Sequence, residues 1–335
     1  MDIIHLPTAQ YFQLVDPPSL DLPPDNVLIR PEVQAALYQH MFDESLTPLP
    51  PATYRARILK LLIARIEGAL TNPEEDEILD DLMTAWGNLL AQPKPSPMDI
   101  ATELSNVKYT APRQPHIPDR TVITVENRGL ILSGGTTGNR TWEAALHLGS
   151  FLASAEGQTI VQGKKVIELG AGTGFLSLLC ARHLGVRSVV ATDREPGLVA
   201  NMRECVRLNS VAEGRDISMY PALWDWGTPL EGVEGVEEGE LEFDIALGAD
   251  LVYDADIVPP LLVTLRDLFE NYGVGHFVTG VALRNEATFQ AFLTECDSYG
   301  YKVERLPFES TPADQQTGFF HTTDIPVQTY RVLPA

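Results

Sequence analysis

Residues Val166 to Gly174 spell VIELGAGTG, and the rest of the chain is best interpreted outward from them. The β-branched and apolar residues at the start of this stretch predict a buried parallel strand. The glycines lead into FLSLLCARHLG, which has the apolar periodicity of a helix. A strand, a glycine turn and a helix N-terminus together let backbone N–H groups approach a ligand closely. We therefore predict a nucleotide-binding loop.

The spacing of the glycines limits the class of ligand that the loop can bind. Gly170, Gly172 and Gly174 follow the pattern G-x-G-x-G. A dinucleotide-binding loop has G-x-G-x-x-G, which brings the backbone close to a pyrophosphate. The observed spacing instead favours a nucleotide-like ligand without a pyrophosphate, and S-adenosylmethionine (SAM) fits it best.

Length and charge limit the function classes. A chain of 335 residues can bury one large core and a smaller domain. Its net charge of −22 argues against a nucleic-acid partner, because such binding uses Lys and Arg to neutralise phosphates. The three cysteines have neither disulfide nor zinc spacing, so we expect a reduced intracellular protein without a metal. With no apolar run of about 18 residues and no signal peptide, we predict a cytoplasmic or nuclear protein without a membrane partner, and of the two we favour the cytoplasm.

Residues 1–110 are predicted to form a helical accessory region. Apolar residues recur at helical spacing from Tyr54 to Leu70, and Pro31 to Phe42 predicts another helix. Pro73 is followed by three acidic residues, which predicts a further helix start because a helix N-terminus favours negative charge. Six prolines between Gln92 and Pro118 predict a linker or an extended crossover.

Residues 111–335 are predicted to form an α/β domain. The segment TVITVENRGLILSG, centred on Asn127 to Gly129, predicts a β-hairpin. Strands and helices then alternate, which implies a mostly parallel sheet with helices on both faces. The predicted strands are Lys164–Gly170, Ser188–Asp193, Asp216–Ala222, Phe243–Ala249, Gly275–Leu283, Tyr301–Leu306 and Asp324–Leu333. The predicted helices are Gly174–Leu184, Pro196–Leu208, Ile257–Phe269 and Glu286–Tyr299.

Two further features belong to this domain. No helix separates the last two strands, so we expect an antiparallel pair at the sheet edge. The segment from Gly227 to Glu242 is rich in Gly and Glu, and this composition is typical of a mobile, solvated loop.

Two acidic residues are candidates for contact with the ligand. Asp193 ends the second strand, where a carboxylate can accept both ribose hydroxyls. Its alternative role is to cap the helix that begins near Pro196. Glu168, just before the glycines, lies either near the ammonium of the ligand or in hydrogen-bonding reach of the glycine loop.

Three tryptophans are candidates for aromatic contacts. Trp224 and Trp226 follow the third strand, and strand alternation points only one of them at the site. We predict that Trp226 forms the adenine wall, because Gly227 lets the backbone turn beside it. Trp142 lies in the first turn of a helix that starts near Thr141, where it either closes over the ligand or packs against the sheet.

Asp250 and Tyr253 stand where the fourth strand ends, in DIALGADLVYD. The carboxyl end of this strand is predicted to lie beside the glycine loop at the topological switch point, where reactive groups gather in such sheets. A spacing of three places both side chains on one side of a turn. An acid and a phenol in this arrangement can bind an incoming amine.

Taken together, these segments resemble methyltransferase family 16, the seven-β-strand protein-lysine methyltransferases. The resemblance rests on TTGNRTWEAALHL, VIELGAGTGFLSL, ATDREPGLVANMRECVRLN, ALWDWG and DIALGADLVYD, which span most of Gly134 to Asp254. The D-x-x-Y signature of this family is similar to Asp250-Leu-Val-Tyr253 here, and it is more specific than the glycines.

The resemblance implies a Rossmann-like fold of the class I SAM-dependent methyltransferases and a reaction at a protein lysine. It implies SAM contacts at Trp142, Gly170, Ala171, Gly172, Asp193, Trp226 and Ala249, with Asp250 and Tyr253 as the catalytic pair. From its position before the glycines, we also predict Glu168 as a cofactor contact. The helical amino-terminal region and GGTTGNRTWEAA are most similar to the branch that methylates translation elongation factor 2. We accordingly expect a monomer whose residues 1–110 dock a folded protein substrate.

Other functions remain open at the level of the sequence. A small-molecule methyltransferase or a dehydrogenase uses a related fold, although the glycine spacing and the lack of a catalytic His or Lys constellation disfavour the dehydrogenase. A non-catalytic interaction module is the third alternative, and the intact Asp250 and Tyr253 speak against it.

Overall fold

A computed structural model describes residues 2–71, 77–129, 137–214 and 216–334 of the chain. The chain divides into two compact units. One comprises Met1–Thr110 with Asn127–Leu130, and the other comprises Ala111–Glu126 with Ile131–Ala335. Within the described ranges, no helix combines the length and the apolar character needed to cross a bilayer.

The first unit is mainly helical. Its helices are Asp2–Phe12 (α1), Asp25–Leu28 (α2), Pro31–Leu37 (α3), Ala52–Ala69 (α4), Asp80–Ala91 (α5) and Pro97–Thr102 (α6), with a strand at Leu104–Thr110 (β1). Short helical turns lie at Pro17–Ser19 and Tyr38–Phe42, the latter a π-helical turn. The helix predicted at Tyr54–Leu70 is confirmed as α4, whose apolar stripe packs into the core of this unit.

Two predictions for the first unit were wrong. The helix predicted to begin at Pro73 starts at Asp80, since residues 77–79 are not helical; residues 72–76 lie outside the described residues. The favourable negative charge of the first turn comes instead from Asp80 and Asp81. The segment from Gln92 to Pro118 is not a plain linker, because it contains α6 and β1.

The distribution of the prolines explains α6 and β1. Three prolines lie at positions 93–97 and three at 112–118, which leaves a proline-free interval between them. Ser96 begins α6 with a capping box, in which its hydroxyl accepts from Asp99 N and Asp99 Oδ2 accepts from Ser96 N. Proline at the first helical position is tolerated, as at Pro97.

The second unit contains the large sheet. Its elements are Thr121–Asn127 (β2, whose last residue belongs to the first unit), Glu143–Ala153 (α7), Ala155–Val161 (α8), Lys165–Leu169 (β3), Phe175–His183 (α9), Ser188–Asp193 (β4), Pro196–Glu213 (α10), Met219–Leu223 (β5), Ile245–Ala249 (β6), Val258–Asn271 (α11), Phe277–Ala282 (β7), Glu286–Ser298 (α12), Lys302–Leu306 (β8) and Val327–Leu333 (β9). Short 3₁₀ turns lie at Glu238–Glu240, Ala255–Ile257 and Ala313–Gln315. The second half of the hairpin predicted around Asn127 to Gly129 falls on residues 130–136, outside the described residues.

The sheet has seven strands in the order β5-β4-β3-β6-β7-β9-β8. The first five in this order are parallel, and β9 runs antiparallel to both β7 and β8. The predicted seven-stranded, mostly parallel sheet and its antiparallel edge pair are therefore confirmed. The chain builds from β3 outward to β5 and then returns to the other side of β3 with β6, so the topological switch point lies between β3 and β6.

The structure differs from the prediction in four details of the second unit. Helix α8 was not predicted, α10 extends to Glu213 rather than Leu208, and β5 begins at Met219 rather than Asp216. The segment from Gly227 to Glu242 is not simply solvated. Its residues Leu230 and Val233 are buried in a hydrophobic core cluster, and Val236 and Leu241 pack against that cluster, because apolar burial outweighs the polar composition around them.

The unpredicted α8 generates a test of packing. A Cβ added at Gly157 in α8 would lie 2.0 Å from Phe151 O, whereas a Cβ at Gly197 in α10 would meet no atom within 4 Å. We expect Gly157→Ala to lower the free energy of unfolding by about 1–3 kcal/mol through overpacking. The control Gly197→Ala should raise it by about 0.5–1 kcal/mol through helix propensity. Urea unfolding of both variants measures the two effects, and equal effects would contradict the close α7–α8 packing.

Candidate active site

Three loops meet at the carboxyl edge of the sheet. Strand β3 lies between β4 and β6, and Glu168 is paired with Ala191 on one side and Leu247 on the other. The loops that follow these three strands therefore emerge side by side. In open α/β sheets, ligands bind in the crevice at such a switch point.

The loop after β3 is held in a conformation that requires glycine. The φ angles of Gly170, Gly172 and Gly174 are 58°, 54° and 77°. Residues other than glycine rarely adopt this region of backbone conformation. Ala171 N donates to Thr192 O at 2.8 Å, which joins the loop to β4. Gly174 then serves as the N-terminal boundary of α9, as the sequence predicted.

Asp193 lies beside this loop at the end of β4. Its Oδ2 accepts a hydrogen bond from Gly172 N at 3.0 Å, and its Oδ1 accepts one from Glu195 N at 3.1 Å. The carboxylate is not the side-chain cap of α10, whose N-terminal boundary residue is Glu195. Burial raises the pKa of Asp193, while the backbone N–H donors oppose that shift. One carboxylate thus sets the shape of the glycine loop from the neighbouring strand.

Glu168 is buried beneath the loop. Its Oε2 accepts from Ser177 N at 2.9 Å and from the Ser177 hydroxyl in a short hydrogen bond. Ser177 lies in the first turn of α9, so these bonds of Glu168 go to the helix start rather than to the glycines. Burial raises the pKa of Glu168 to about 8, the Ser177 bonds lower it, and nearby Asp193 raises it further.

The two tryptophans after β5 have separate environments. Trp224 is buried in the core, and its Nε1 donates to Thr228 O at 2.9 Å. Trp226 lies over the glycine loop, because a Cβ placed on Gly170 would be 3.3 Å from its Cζ2. Gly227 has a φ of 84°, which produces the turn that the sequence predicted. The structure therefore brings Trp226, not Trp224, to the loop.

A second loop, residues 137–142, covers the glycines. A Cβ on Gly172 would lie 3.0 Å from Gly138 O, and the hydroxyls of Thr141 and Thr173 are 2.7 Å apart. Thr141 also donates to buried Glu126 at 2.7 Å, a carboxylate that the sequence analysis had not singled out. The Thr141 side chain therefore points toward the glycine loop and does not cap α7, whose N-terminal boundary residue is Trp142.

Trp142 stands at the N-terminal boundary of α7, one residue before its first turn. Its Nε1 donates to Thr137 O at 3.0 Å, which fixes the indole against the loop. Two guanidinium groups lie over the ring, Arg140 at 5.2 Å and Arg284 at 5.5 Å from the centroid. The ring thus lies between the glycine-loop cover and the charged groups at the end of β7.

Asp250 follows Ala249 at the end of β6, next to the glycine loop on β3. Its φ is 57°, which is unusual for a residue with a side chain, and its N–H donates to Gly280 O at 2.8 Å. The Asp250 side chain is 13% exposed, whereas Tyr253 is 58% exposed. The Asp250 backbone is therefore held against β7 and its side chain is largely buried, whereas the Tyr253 side chain is largely exposed.

Arg284 is a second residue of this region that the sequence did not point to. It follows β7, and its guanidinium donates to Asp250 Oδ2 at 2.5 Å and to Glu143 Oε2 at 2.8 Å. Burial raises the pKa of Asp250, and the Arg284 guanidinium lowers it. No local motif marks Arg284, because only the sheet order places the end of β7 beside the end of β6.

The chemistry of this crevice fits SAM. Gly170 and Gly172 form a turn with positive φ, Asp193 offers a carboxylate at a strand end, and Trp226 offers an aromatic face. These are the groups that a ribose, an adenine and a closely approaching backbone require. Among the described residues, no group of three or more His, Cys, Asp or Glu side chains could hold a metal.

A seven-stranded sheet of this order with these groups at its switch point defines a class I SAM-dependent methyltransferase. A family model described as "Lysine methyltransferase" matches residues 123–298, more than half of the chain. The chain therefore belongs to the lysine methyltransferase family.

Similar proteins agree with this family. The Protein-lysine N-methyltransferase EFM3 of Chaetomium thermophilum is 38% identical over 327 residues, which cover 95% of this chain and 94% of that protein. The protein of the same name from Saccharomyces cerevisiae is 33% identical over 68% of this chain and 66% of its own length. The human Protein-lysine N-methyltransferase EEF2KMT is 26% identical over 77% of this chain and 74% of its own length.

The predicted class of enzyme is thereby confirmed: the protein is a SAM-dependent protein-lysine N-methyltransferase. This class of enzyme replaces the three alternatives, which were a dehydrogenase, a small-molecule methyltransferase and a non-catalytic module.

The buried Glu168 generates a prediction on pH. Its pKa is raised to about 8 in the folded chain, above the value of about 4.3 in an unfolded chain, so the neutral form favours folding. This contribution to stability is complete below about pH 4.3 and is lost as the pH rises toward 8. We expect Glu168→Gln, which stays neutral, to gain stability relative to wild type as the pH rises through that window.

Urea unfolding between pH 5 and pH 9 measures this difference. The matched control is Glu242→Gln, because Glu242 is exposed. Its free energy of unfolding should change with pH in parallel with that of wild type. A Glu168→Gln curve that also runs parallel to wild type would contradict a neutral Glu168.

Proposed function

We propose that this enzyme methylates a lysine of translation elongation factor 2, with Asp250 and Tyr253 at the reacting amine. The observation that carries the proposal is the position of Asp250, held by its backbone at the end of β6 and beside the glycine loop. A carboxylate there can orient an amine next to a cofactor that lies along the loop.

In this proposal the cofactor lies along the carboxyl edge of β3, β4 and β5. Gly170, Ala171 and Gly172 provide the close backbone, and Asp193 binds the ribose hydroxyls. Trp226 forms the adenine wall over Gly170.

The remaining assignments concern the two ends of this site. Trp142 covers the cofactor from the loop before α7, and Ala249 lies at the floor next to Asp250. Glu168 acts indirectly, because its bonds to Ser177 hold the start of α9 behind the glycines.

When bound, SAM supplies a methyl group on a cationic sulfonium, and an in-line attack by a neutral amine forms the C–N bond as the C–S bond breaks. A lysine with a pKa near 10.4 must first lose a proton to water, which at pH 7 costs roughly 4 to 5 kcal/mol. Asp250 accepts a hydrogen bond from the amine and aims its lone pair. Tyr253 forms a wall of the lysine channel at the rim. Most of the rate then comes from positioning.

The resemblance of GGTTGNRTWEAA and of the amino-terminal region to the elongation factor 2 branch supports this substrate. The similarity to EFM3 covers 95% of this chain and so extends into the amino-terminal helical region. The name EEF2KMT of the human relative is consistent with this substrate. Residues 1–110 would dock the folded factor. With that substrate, we propose a cytoplasmic, monomeric enzyme that uses no nucleic-acid partner, in keeping with its net charge of −22.

The role of Asp250 can be separated from cofactor binding. We expect Asp250→Asn to lower methyl transfer by about 100-fold or more, because the amine loses its acceptor and orientation. SAM affinity measured by calorimetry should change little. Asparagine is chosen because it tolerates a positive φ better than alanine. The control Asp254→Asn alters an exposed acid four residues away and should retain transfer. An equal loss of SAM binding and transfer would instead make Asp250 a cofactor or folding residue.

The substrate can be identified directly. Labelled SAM is incubated with the enzyme and an extract of cells that lack it, and the labelled band is identified by mass spectrometry. We expect the label on a lysine of elongation factor 2, and purified factor from the same cells should accept the methyl group. A label on another protein would disprove the substrate but keep the reaction, and labelled metabolites without a labelled protein would disprove both.

A further inference from the structure

Four charged residues form an alternating chain around Trp142. Arg140 Nη2 lies 4.0 Å from Glu143 Oε1, Arg284 donates to Glu143 Oε2 at 2.8 Å, and Arg284 donates to Asp250 Oδ2 at 2.5 Å. Positive and negative side chains alternate along this series, and the formal charges of the four residues cancel. Its last member is the carboxylate proposed to receive the target amine.

A carboxylate at the position of Asp250 affects the protonation of the lysine that binds beside it. A lone carboxylate beside a lysine favours the charged ammonium and so opposes the deprotonation that methyl transfer needs. The Asp250 side chain is 13% exposed, so solvent screens this effect only weakly. A cation next to the carboxylate counteracts the effect without removing the hydrogen-bond acceptor.

Arg284 meets this requirement in position and charge. It approaches Asp250 through one nitrogen while its other nitrogen is held by Glu143, so the guanidinium is anchored from both sides. Its Cζ also lies over the Trp142 ring, 5.5 Å from the ring centroid. An arginine so anchored aims the Asp250 carboxylate as well as balancing its charge.

Resting on the proposed lysine methyl transfer, we propose that Arg284 is a positioning residue that balances the charge of Asp250, so that the pocket orients the target lysine without retaining its proton. The proton leaves for water before the transfer, and the Asp250–Arg284 pair stays ionised throughout. Arg284 does not contact the reacting atoms and acts through Asp250.

Other charged groups around the pair lie on several elements. His321 interacts with Glu143, but burial lowers the pKa of His321, so it titrates below the pH range in which the lysine is deprotonated. Glu286 lines the same open groove as Arg284 at the start of α12. Asp254, Asp256 and Tyr253 belong to the segment between β6 and α11. Arg284 is the group that the structure places on the carboxylate itself.

The test is the pH dependence of kcat at saturating SAM and acceptor, which reports ionisations in the enzyme–substrate complex. The acceptor is the protein that wild-type enzyme labels in an extract of cells lacking the enzyme, purified from those cells. For Arg284→Gln we expect the acid limb of the profile to move up by about one pH unit or more. The rate at pH 7.5 then falls about tenfold and recovers toward wild type by about pH 9.5.

Three further variants distinguish charge from structure. Arg284→Lys keeps the charge, and its acid limb should stay close to that of wild type. Glu143→Gln removes the negative charge on the far side of Arg284, and its limb should move to lower pH. The matched control is Arg266→Gln, which removes an exposed arginine stacked on Tyr299 and should leave the profile unchanged.

The outcomes separate the two proposals. If Arg284→Gln lowers kcat by the same factor at every pH, or if Glu143→Gln shifts the limb in the same direction as Arg284→Gln, Arg284 is a structural residue and the inference is wrong. If wild-type enzyme labels no protein at all, the proposed function fails and this inference fails with it.

Discussion

The pairing of β3 with β4 on one side and β6 on the other is the constraint on which the site depends. Parallel strands in one sheet end at the same edge, and the register brings Glu168 level with Ala191 and Leu247. The loops after these strands therefore meet, although they lie far apart along the chain. The central strands are buried on both faces, so their apolar residues hold this register.

The glycine loop is kept in shape by polar groups in a largely buried setting. Asp193 accepts hydrogen bonds from two backbone N–H groups, and Glu168 accepts hydrogen bonds from the N–H and the hydroxyl of Ser177. Burial raises the pKa of both carboxyls, so each hydrogen bond offsets part of a desolvation cost. The loop is thus set before a ligand arrives, which reduces the ordering needed on binding.

The region around Asp250, where we propose that the amine binds, is organised differently. There the exposed fractions are larger, and the groups are ions in a chain from Arg140 to Asp250. A protein with a net charge of −22 attracts cations in general, and a lysine arrives as one. Reaction needs the neutral amine, so a locally balanced pair at the point of transfer serves the chemistry better than an uncompensated acid.

The α/β class, the seven strands and the G-x-G-x-G loop were predictable from the sequence, because apolar periodicity and glycine spacing are local properties. The sequence also located Asp193, which ends β4, and Trp226 and Asp250, which lie shortly after β5 and β6. It failed where local signals conflict, as in the proline-rich segment that contains α6 and β1. Tertiary structure alone decided which groups touch. Arg284 reaches Asp250 across 34 residues because β7 pairs with β6, and no pattern within either segment encodes that contact.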